Sequence, residues 1–433
     1  MQKPVLLLLL ALSFRAAQSQ NSISPLFEEY YEADGFYKKS KAAKKIISAG
    51  ISFQEIFSGL SEGRHYLPDK RKGFTKVRQV GEHLPPSALV FVPYDYTPLK
   101  KYPVTVYLHG AVSNLDPDFI YHHFVDTLNA AYKKIQSIYI YPSGWLWAPW
   151  WSKAQYENIN HLIAAVKQDY NVDESQIRLG GISDGGTGSY YLANCNRTPW
   201  SAVTPFIGSL EVLNYLKVRP TFMSNYEHVP FYIVNTGRDT IFPKVQQAPY
   251  LKLLSIINPL STQIMIDSAS HSMNWFPLLR DSINNFIKQH PRNPFPSKLS
   301  WSTDSDKENN RCFYLVANKL GSNKPNKMHD RYNEIEVNGK KTLAHARDSV
   351  YGHIEVVVSG NVVNVRTENI KKYTLLISPS QFAIDQPIVV WTNGIKSFEG
   401  IITPDVNTLL RWNIIDQDRT MLFAAEVPVT VKF

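Results

Sequence analysis

The chain has 433 residues, of which 44% are hydrophobic and 19% are charged, and its formal net charge is +9. These proportions are typical of a globular protein with an ample hydrophobic core, and they exclude an intrinsically disordered chain. The length exceeds that of one ordinary domain, so it predicts two folded units with extensions.

The N-terminus has the features of a secretory signal peptide. Lys3 places a positive charge near its start, and the apolar run Val5–Leu12 is too short to span a bilayer. The small residues of Ala17-Gln18-Ser19 are typical of a signal-peptidase site. We expect residues 1–19 to be removed, leaving a soluble, secreted or periplasmic protein without membrane contact; an uncleaved N-terminal anchor is the alternative.

A helical pattern extends from residue 25 to about residue 60, within an N-terminal helical extension predicted at 20–80. It contains one dense basic run, Lys38–Lys45, which is typical of a solvated helix face. The remaining excess of basic residues is spread along the chain. We therefore expect no nucleic-acid partner.

Strand and helix patterns alternate in the next segment, residues 81–292. The predicted strands are 87–94, 102–110, 137–142, 176–182, 229–237 and 262–268, with helices at 118–134, 154–169 and 185–193. This alternation predicts an α/β domain with a mostly parallel sheet and helices on both faces.

A proline-rich stretch at 290–301 marks the boundary of a second unit. Beyond it the pattern changes to short strands, with a two-residue hairpin signal at Asn393-Gly394 and one short helix at about 404–415. We predict a mostly-β accessory domain at 298–433. It carries no catalytic cluster, and polymer binding is one hypothesis for its role.

A glycine-rich stretch, RLGGISDGGTGS at 178–189, follows one of the predicted strands. It is not a nucleotide-binding loop, because Thr187 replaces the Walker lysine and Tyr191 replaces the third glycine of a dinucleotide fingerprint. Gly181–Gly185 does match G-x-S-x-G, the nucleophile elbow in which a serine lies between a strand and a helix. Ser183 is therefore the candidate nucleophile, and a purely structural glycine-rich turn is the alternative.

A nucleophilic serine needs a base, and the base needs an acid that orients it. In this type of domain they follow the serine in the order acid, histidine. His271 follows the last predicted strand of the sheet and is the candidate base. Asp239 follows the strand 229–237 directly and is the candidate acid; Asp267, four residues before the histidine, is the alternative.

Two backbone N–H groups are expected to form an oxyanion hole. One is that of Asp184, next to the serine, and the other is that of Ala111, in the loop after the strand 102–110. His109, at the start of this loop, is expected to hold the loop by hydrogen bonds rather than to act as a base.

These motifs resemble those of the α/β-hydrolase superfamily, and within it exported bacterial esterases, polyhydroxybutyrate depolymerase-like hydrolases and prolyl oligopeptidase-like hydrolases. The motifs are LHGAVSN at 108–114, GGISDGGTGS at 180–189, NTGRDTIFP at 235–243 and SASHSMNW at 268–275. The resemblance covers about residues 85–290 and implies a triad of Ser183, Asp239 and His271. Asp184 departs from the family pattern, in which an uncharged residue is common, and leaves the preferred substrate charge open.

Four tryptophans, Trp145, Trp147, Trp150 and Trp151, lie in the loop GWLWAPWWS at 144–152. Loops after parallel strands open on the face of the sheet where ligands bind, so these residues are candidates for substrate binding. We expect at least one of them to line the cleft and at least two to pack beneath the helices.

Two cysteines, Cys195 and Cys312, fall in different predicted domains, which favours free buried thiols and leaves a disulfide open. Histidines and carboxylates show no close metal-ligand spacing, so we expect no metal site. Asn196-Arg197-Thr198 matches a glycosylation acceptor, which matters only in a eukaryotic secretory route.

Together these features predict an exported serine hydrolase that cleaves carboxylic esters through an acyl-enzyme, without a metal or organic cofactor. Its expected partner is an ester- or amide-bearing small molecule or polymer. A prolyl oligopeptidase-like peptidase is the close alternative; no propeller pattern precedes the hydrolase segment, which favours esters. A non-catalytic binding protein on a hydrolase scaffold is the third hypothesis.

Overall fold

The computed structural model describes residues 25–78, 87–128, 134–216, 219–322, 324, 334–337, 339–344 and 350–432. The predicted signal peptide lies outside these described residues. Across the described ranges, no helix has both the length and the apolar character that a membrane crossing needs.

Within the described residues, eight strands form one central sheet. They are β1 Gly73–Arg78, β2 Ser87–Val92, β3 Tyr102–Leu108, β4 Ile138–Pro142, β5 Val172–Ile182, β6 Ala202–Phe206, β7 Phe231–Thr236 and β8 Ser261–Ile266. Their order is β1-β2-β4-β3-β5-β6-β7-β8. The strand β2 pairs antiparallel with β1 and β4, whereas all pairs from β4 to β8 are parallel.

Six helices among the described residues alternate with these strands or follow the last of them. They are α4 Phe119–Leu128, α5 Lys153–Asp169, α6 Asp184–Cys195, α7 Val212–Tyr215, α8 Lys244–Ile257 and α9 Phe276–Gln289. Three helices precede the sheet, α1 at 25–32, α2 Gly35–Ser48 and α3 Phe53–Glu62, and α10 Val406–Asp416 comes late in the chain. The predicted helices at 118–134, 154–169 and 185–193 correspond to α4, α5 and α6.

The helices cover both faces of the sheet, because alternate residues of a strand point to opposite faces. Val90 and Ile233 belong to one hydrophobic cluster, to which α5, α6 and α8 contribute. Their neighbours Phe91 and Val234 belong to clusters on the other face, to which α4 and α9 contribute. The chain has the predicted α/β-hydrolase fold, with a mostly parallel sheet between two layers of helices.

The edge strand β1 begins before residue 81, the predicted start of the hydrolase domain. Its sequence GFTKVR places Phe74 and Val77 three residues apart, so no alternation of period two reveals a strand. Pairing with β2 makes it one, and the Phe74 ring packs on that of Phe91 with 4.9 Å between centroids. The segment predicted as a helical extension, 20–80, therefore contains a strand of the central sheet.

The N-terminal helices pack against the C-terminal part of the chain. Ile46 of α2 and Ile56 of α3 share a hydrophobic cluster with Leu409 of α10. The Tyr30 hydroxyl donates a hydrogen bond of 2.7 Å to Oδ1 of Asn413. The first and last helices of the described chain thus form one helical layer.

The part of the chain after residue 297 is mostly β, as predicted. Its strands are β9 Lys298–Thr303, β10 Arg311–Cys312, β11 Leu315–Leu320, β12 Glu334–Val337, β13 Lys340–Leu343, β14 Gly352–Ser359, β15 Val362–Glu368, β16 Ile370–Ile377, β17 Ile388–Thr392, β18 Ile395–Gly400 and β19 Ala425–Thr430. Among the described residues they form sheets of order β18-β17-β15-β14-β9, β10-β11-β16-β19 and β12-β13. The two larger sheets share one core.

The hairpin signal at Asn393-Gly394 and the two cysteines also had predictions from the sequence. Asn393 and Gly394 have φ angles of 51° and 81° and join β17 to β18, so the predicted two-residue hairpin is confirmed. Cys312 in β10 and Cys195 at the end of α6 both lie in the described part of the chain and are free, buried thiols. Burial raises the pKa of each thiol to about 11, which keeps both protonated and unreactive.

Candidate active site

Ser183 occupies a sharp turn between β5 and α6. Its φ of 56° is unusual for a residue other than glycine, and its N–H donates a 2.9 Å hydrogen bond to the carbonyl of Phe206. A Cβ atom on Gly185 would overlap the carbonyl oxygen of Leu108, and one on Gly181 would overlap that of Gly185. Glycine is therefore required on both sides of the serine, where α6 crosses the sheet.

The side chains of Ser183, His271 and Asp239 form a continuous hydrogen-bonded chain. Nε2 of His271 lies 2.8 Å from the serine Oγ, and Nδ1 lies 2.7 Å from Oδ2 of Asp239. The other oxygen of Asp239 accepts the N–H groups of Ile241 and Phe242, each at 2.9 Å. Because the Nδ1–H of His271 donates to the carboxylate, Nε2 carries no proton and can accept the hydrogen bond of the serine hydroxyl.

The sheet explains why residues so distant in sequence meet. Ser183 follows β5, Asp239 follows β7 and His271 follows β8, and these parallel strands end at the same edge of the sheet. Asp267, the alternative acid, is directed elsewhere: its Oδ1 pairs with the Lys244 ammonium at 2.7 Å, and its side chain is 76% exposed. The structure brings Asp239, and not Asp267, to the histidine.

The two predicted oxyanion donors belong to two segments that meet near Ser183. Asp184 is the first residue of α6, so its N–H has no partner within the helix. Ala111 lies in the loop after β3 and has a φ of 57°. This loop passes close to the serine, since a Cβ atom on Gly110 would lie 3.0 Å from the serine Cβ.

His109 forms hydrogen bonds that hold the same loop, as expected from the sequence. Its Nε2 accepts the N–H of Gly144 at 2.9 Å, so Nδ1 carries the proton and donates to the carbonyl of Gly110 at 2.5 Å. Burial lowers the pKa of His109 from 6.5 to about 4. The imidazole is therefore neutral near pH 7, and it is too enclosed to serve as a base for a substrate.

Solved structures of several hydrolases are similar to part of this chain. A thermostable esterase has 17% sequence identity and a TM-score of 0.43, with 51% of this chain and 63% of that chain covered. Fluorophosphonate-binding serine hydrolase F of Staphylococcus aureus has 13% identity and a TM-score of 0.40, covering 50% and 99%. An S-formylglutathione hydrolase from Agrobacterium tumefaciens has 16% identity and a TM-score of 0.39, covering 52% and 99%.

This chain thus spans less than two thirds of the esterase's length, and the similarity is one of fold. No protein-family model matches the sequence, and no curated protein sequence matches it.

The four tryptophans of the 144–152 loop have different surroundings. Trp150 is fully buried, and its Nε1–H donates a 2.9 Å hydrogen bond to the carbonyl of His109. Trp145 is also buried, and Trp151 packs partly buried against the main cluster. Trp147 is 75% exposed. The burial of Trp145 and Trp150 agrees with the expectation that at least two of the four pack in the core, and substrate contact stays a prediction for the exposed Trp147.

One polar residue of the site was not predicted. The Asn114 side-chain amide donates to the carbonyl of Ala111 at 2.7 Å and to that of Gly144 at 3.1 Å, tying two loops together. Its position within the LHGAVSN motif is the only signal in the sequence that points to it. Among the residues that the structure describes, no group of three or more histidine, cysteine or acidic side chains is arranged to hold a metal ion.

Proposed function

We propose that this protein is a serine hydrolase that cleaves carboxylic esters through an acyl-enzyme formed on Ser183. The observation that carries the proposal is the hydrogen-bonded chain from Ser183 Oγ through His271 to Asp239, with distances of 2.8 Å and 2.7 Å. The carboxylate is 2% exposed and accepts two backbone N–H groups, so it is held in the orientation that the histidine requires.

In the acylation step, Ser183 Oγ attacks the ester carbonyl carbon while its proton passes to Nε2 of His271. Asp239 stabilises the resulting imidazolium. The N–H groups of Ala111 and Asp184 donate to the oxyanion of the tetrahedral intermediate. The intermediate then collapses, and the departing alkoxide takes the proton from Nε2 and leaves as an alcohol.

Deacylation repeats these steps with water as the nucleophile. His271 removes a proton from the water, whose oxygen attacks the carbonyl carbon of the acyl-enzyme. The second tetrahedral intermediate uses the same backbone donors. Its collapse breaks the bond to Ser183 Oγ, which recovers its proton from Nε2, and the carboxylic acid product is released.

Exposed apolar side chains support a preference for apolar ester groups. Leu115 is 71% exposed, and Trp147 is 75% exposed. The loops that carry them are joined by a 2.9 Å hydrogen bond from the N–H of Leu146 to the carbonyl of Asn114. Ile241, close to Asp239 in the chain, is 60% exposed. We propose that these side chains contact an apolar part of the ester, because hydrophobic side chains line most ligand sites.

The pair Asp239→Asn and Asp267→Asn tests the proposed triad with matched changes. Loss of the Asp239 charge leaves the histidine in the wrong tautomer, so we expect kcat for p-nitrophenyl esters to fall about 10⁴-fold. The Asp267 variant should keep the wild-type rate, because that carboxylate is exposed and pairs with Lys244 rather than with His271. Equal losses in both variants would contradict the assigned acid.

A substrate panel tests the reaction class. We expect p-nitrophenyl and other acyl esters to be cleaved faster than aminoacyl amides by the wild-type protein, and Ser183→Ala to be inactive on both. Faster turnover of the amides would replace the esterase assignment with a peptidase.

We also propose that the enzyme acts outside the cytoplasm. Its leader pattern supports this, and N-terminal sequencing should find a mature protein that begins near Gln20.

A further inference from the structure

The carboxylate of Asp184 has a partner in the loop that carries one of the proposed oxyanion donors. Its Oδ2 accepts the N–H of Val112 at 3.0 Å. Asp184 is the first residue of α6, whereas Val112 follows Ala111 in the loop after β3. A single side chain therefore connects the helix that begins at the serine with the loop that lies over it.

The loop needs such a connection because Ala111 has an unfavourable backbone conformation. Its φ of 57° lies in the left-handed region, which a residue with a Cβ adopts only when neighbouring contacts hold it there. Two contacts do so. The Asn114 side chain donates to the carbonyl of Ala111 at 2.7 Å, and Asp184 binds the next N–H along the chain.

We infer that the Asp184 carboxylate is a positioning residue that orients the N–H of Ala111 toward the oxyanion. The inference rests on the proposed function. Asp184 would then serve the site twice, since its backbone N–H is the other proposed donor. The carboxylate itself touches no reacting atom; it fixes the distance between the two donors by holding Val112.

A purely electrostatic role makes a different prediction. A carboxylate near a developing oxyanion disfavours it, so removal of the charge by any substitution would raise kcat or leave it unchanged. The Val112 N–H and the N-terminus of α6 both offset that charge in this structure. An asparagine at position 184 would keep an oxygen acceptor for Val112 but carry no charge, so it separates the two roles.

The experiment measures kcat and KM on a p-nitrophenyl ester for Asp184→Asn, Asp184→Ala and Asp184→Leu. We expect the Ala and Leu variants to lose about 10- to 100-fold in kcat, less than the loss of a whole oxyanion donor, with KM changed little. The Asn variant should stay within about 3-fold of the wild type, because it can still accept the Val112 N–H. Using two acceptor-free side chains of different size separates the lost hydrogen bond from a packing defect.

Asp405→Ala is the matched control. That carboxylate accepts the N–H groups of Asn407 and Thr408 at the start of α10, so its loss should lower Tm without changing kcat. Wild-type kcat in Asp184→Ala or Asp184→Leu would overturn the inference, as would equal losses in the Asn and Ala variants. If either outcome is found but a fluorophosphonate labels Ser183 in the wild type, the inference fails and the proposed function stands. If the wild type neither labels nor cleaves esters, the proposed function fails and the inference fails with it.

Discussion

At the scale of single residues, protonation of His109 would disturb the loop over Ser183, so this residue makes the protein sensitive to pH. Its Nε2 accepts the N–H of Gly144, and a protonated ring would direct a second N–H at that donor. The ring also lies against Trp150, with 5.0 Å between centroids, in a place that solvent does not reach. Burial therefore holds the pKa of His109 at about 4, below its ordinary 6.5.

This lowered pKa predicts a loss of stability in mild acid. Between the folded pKa of about 4 and the unfolded value of 6.5, the unfolded chain binds more protons than the folded one. The free energy of unfolding therefore rises as the pH increases through this window. Above the window, where His109 is neutral in both states, the total gain from this residue is about 3 kcal/mol. Urea unfolding of the wild type between about pH 7.5 and pH 4.5 should show the slope, and His109→Gln should lack much of it.

The control for this prediction is His161→Gln, because His161 is exposed on α5. This variant should keep the wild-type dependence on pH. An identical pH slope in the wild type and in His109→Gln would mean that His109 does not titrate as its burial requires.

The hydrogen-bonded arrangement of Ser183, Asp239 and His271 could be predicted from the sequence because each residue follows a recognisable strand. Ser183 also has its own glycine pattern, and Asp239 and His271 come in the order that the fold needs. The partner of the Asp184 carboxylate could not be predicted, because Val112 is separated from it by 72 residues. Only the packing of α6 against the end of β3 brings the two together.

At the scale of elements, the crossing of α6 over β3 decides whether the site forms. Gly185 lies at the closest point, where a Cβ atom would overlap the carbonyl groups of Leu108 and His109. Backbone atoms cannot rotate away as side chains can. The helix would have to move off the sheet to accommodate a methyl group.

We therefore expect Gly185→Ala to lose more than about 4 kcal/mol of stability, the size of effect seen when a substitution forces backbone apart. Gly360→Ala is the matched control: its φ is 56°, but no atom lies within 4 Å of the added Cβ. That change should cost about 1–2 kcal/mol, from the left-handed backbone alone. Chemical unfolding of both variants provides the comparison, and a Gly185 variant as stable as the Gly360 variant would contradict this account of the elbow.

Buried strands could be predicted better than edge or polar ones. The strand β7, FYIVNT, is buried along its length and lies within the prediction 229–237. The strand β5 begins at Val172, before the predicted 176, because Asp173, Glu174 and Ser175 are polar and Val172 pairs with Tyr102 ahead of a register shift. The edge strand β1 was missed for the same reason: pairing with β2, rather than its own pattern, makes it a strand.

At the scale of the whole molecule, buried ion pairs join the hydrolase sheet to the C-terminal part. Arg419 forms a two-pronged pair with Glu174 in β5, at 2.6 Å and 2.9 Å, and also donates to the carbonyl of Val172. Arg292 pairs with Asp418 at 2.6 Å, with both side chains almost inaccessible. The strand that ends at the serine is thus anchored at its start by the C-terminal part.

Arg419→Leu should destabilise the protein by about 3–5 kcal/mol, because it leaves the Glu174 carboxylate buried without a partner. Adding Glu174→Leu should recover part of that loss, since the unpaired charge is then removed. Lys341→Ala is the control: it breaks an ion pair with Glu334 whose side chains are 81% and 59% exposed, and it should leave stability almost unchanged. Urea unfolding measures all three. A double variant no more stable than Arg419→Leu would contradict the buried-charge explanation.

The division of the chain into segments could be predicted only in part. The change from α/β to mostly β after the proline-rich stretch was visible in the sequence. The packing of α2 and α3 on α10 was not, because their apolar stripes do not show which partner they cover. The sequence therefore suggested a separate N-terminal extension where the structure has a layer shared with the C-terminal part.

We propose that Ser183 is a nucleophile activated by His271. The most direct test is mass spectrometry of the intact protein and its peptides after reaction with a fluorophosphonate probe. We expect one adduct per chain, on the peptide that contains Ser183, with no adduct in Ser183→Ala and far slower labelling in His271→Ala. An adduct of undiminished yield in Ser183→Ala, or no adduct in the folded wild type, would contradict the claim.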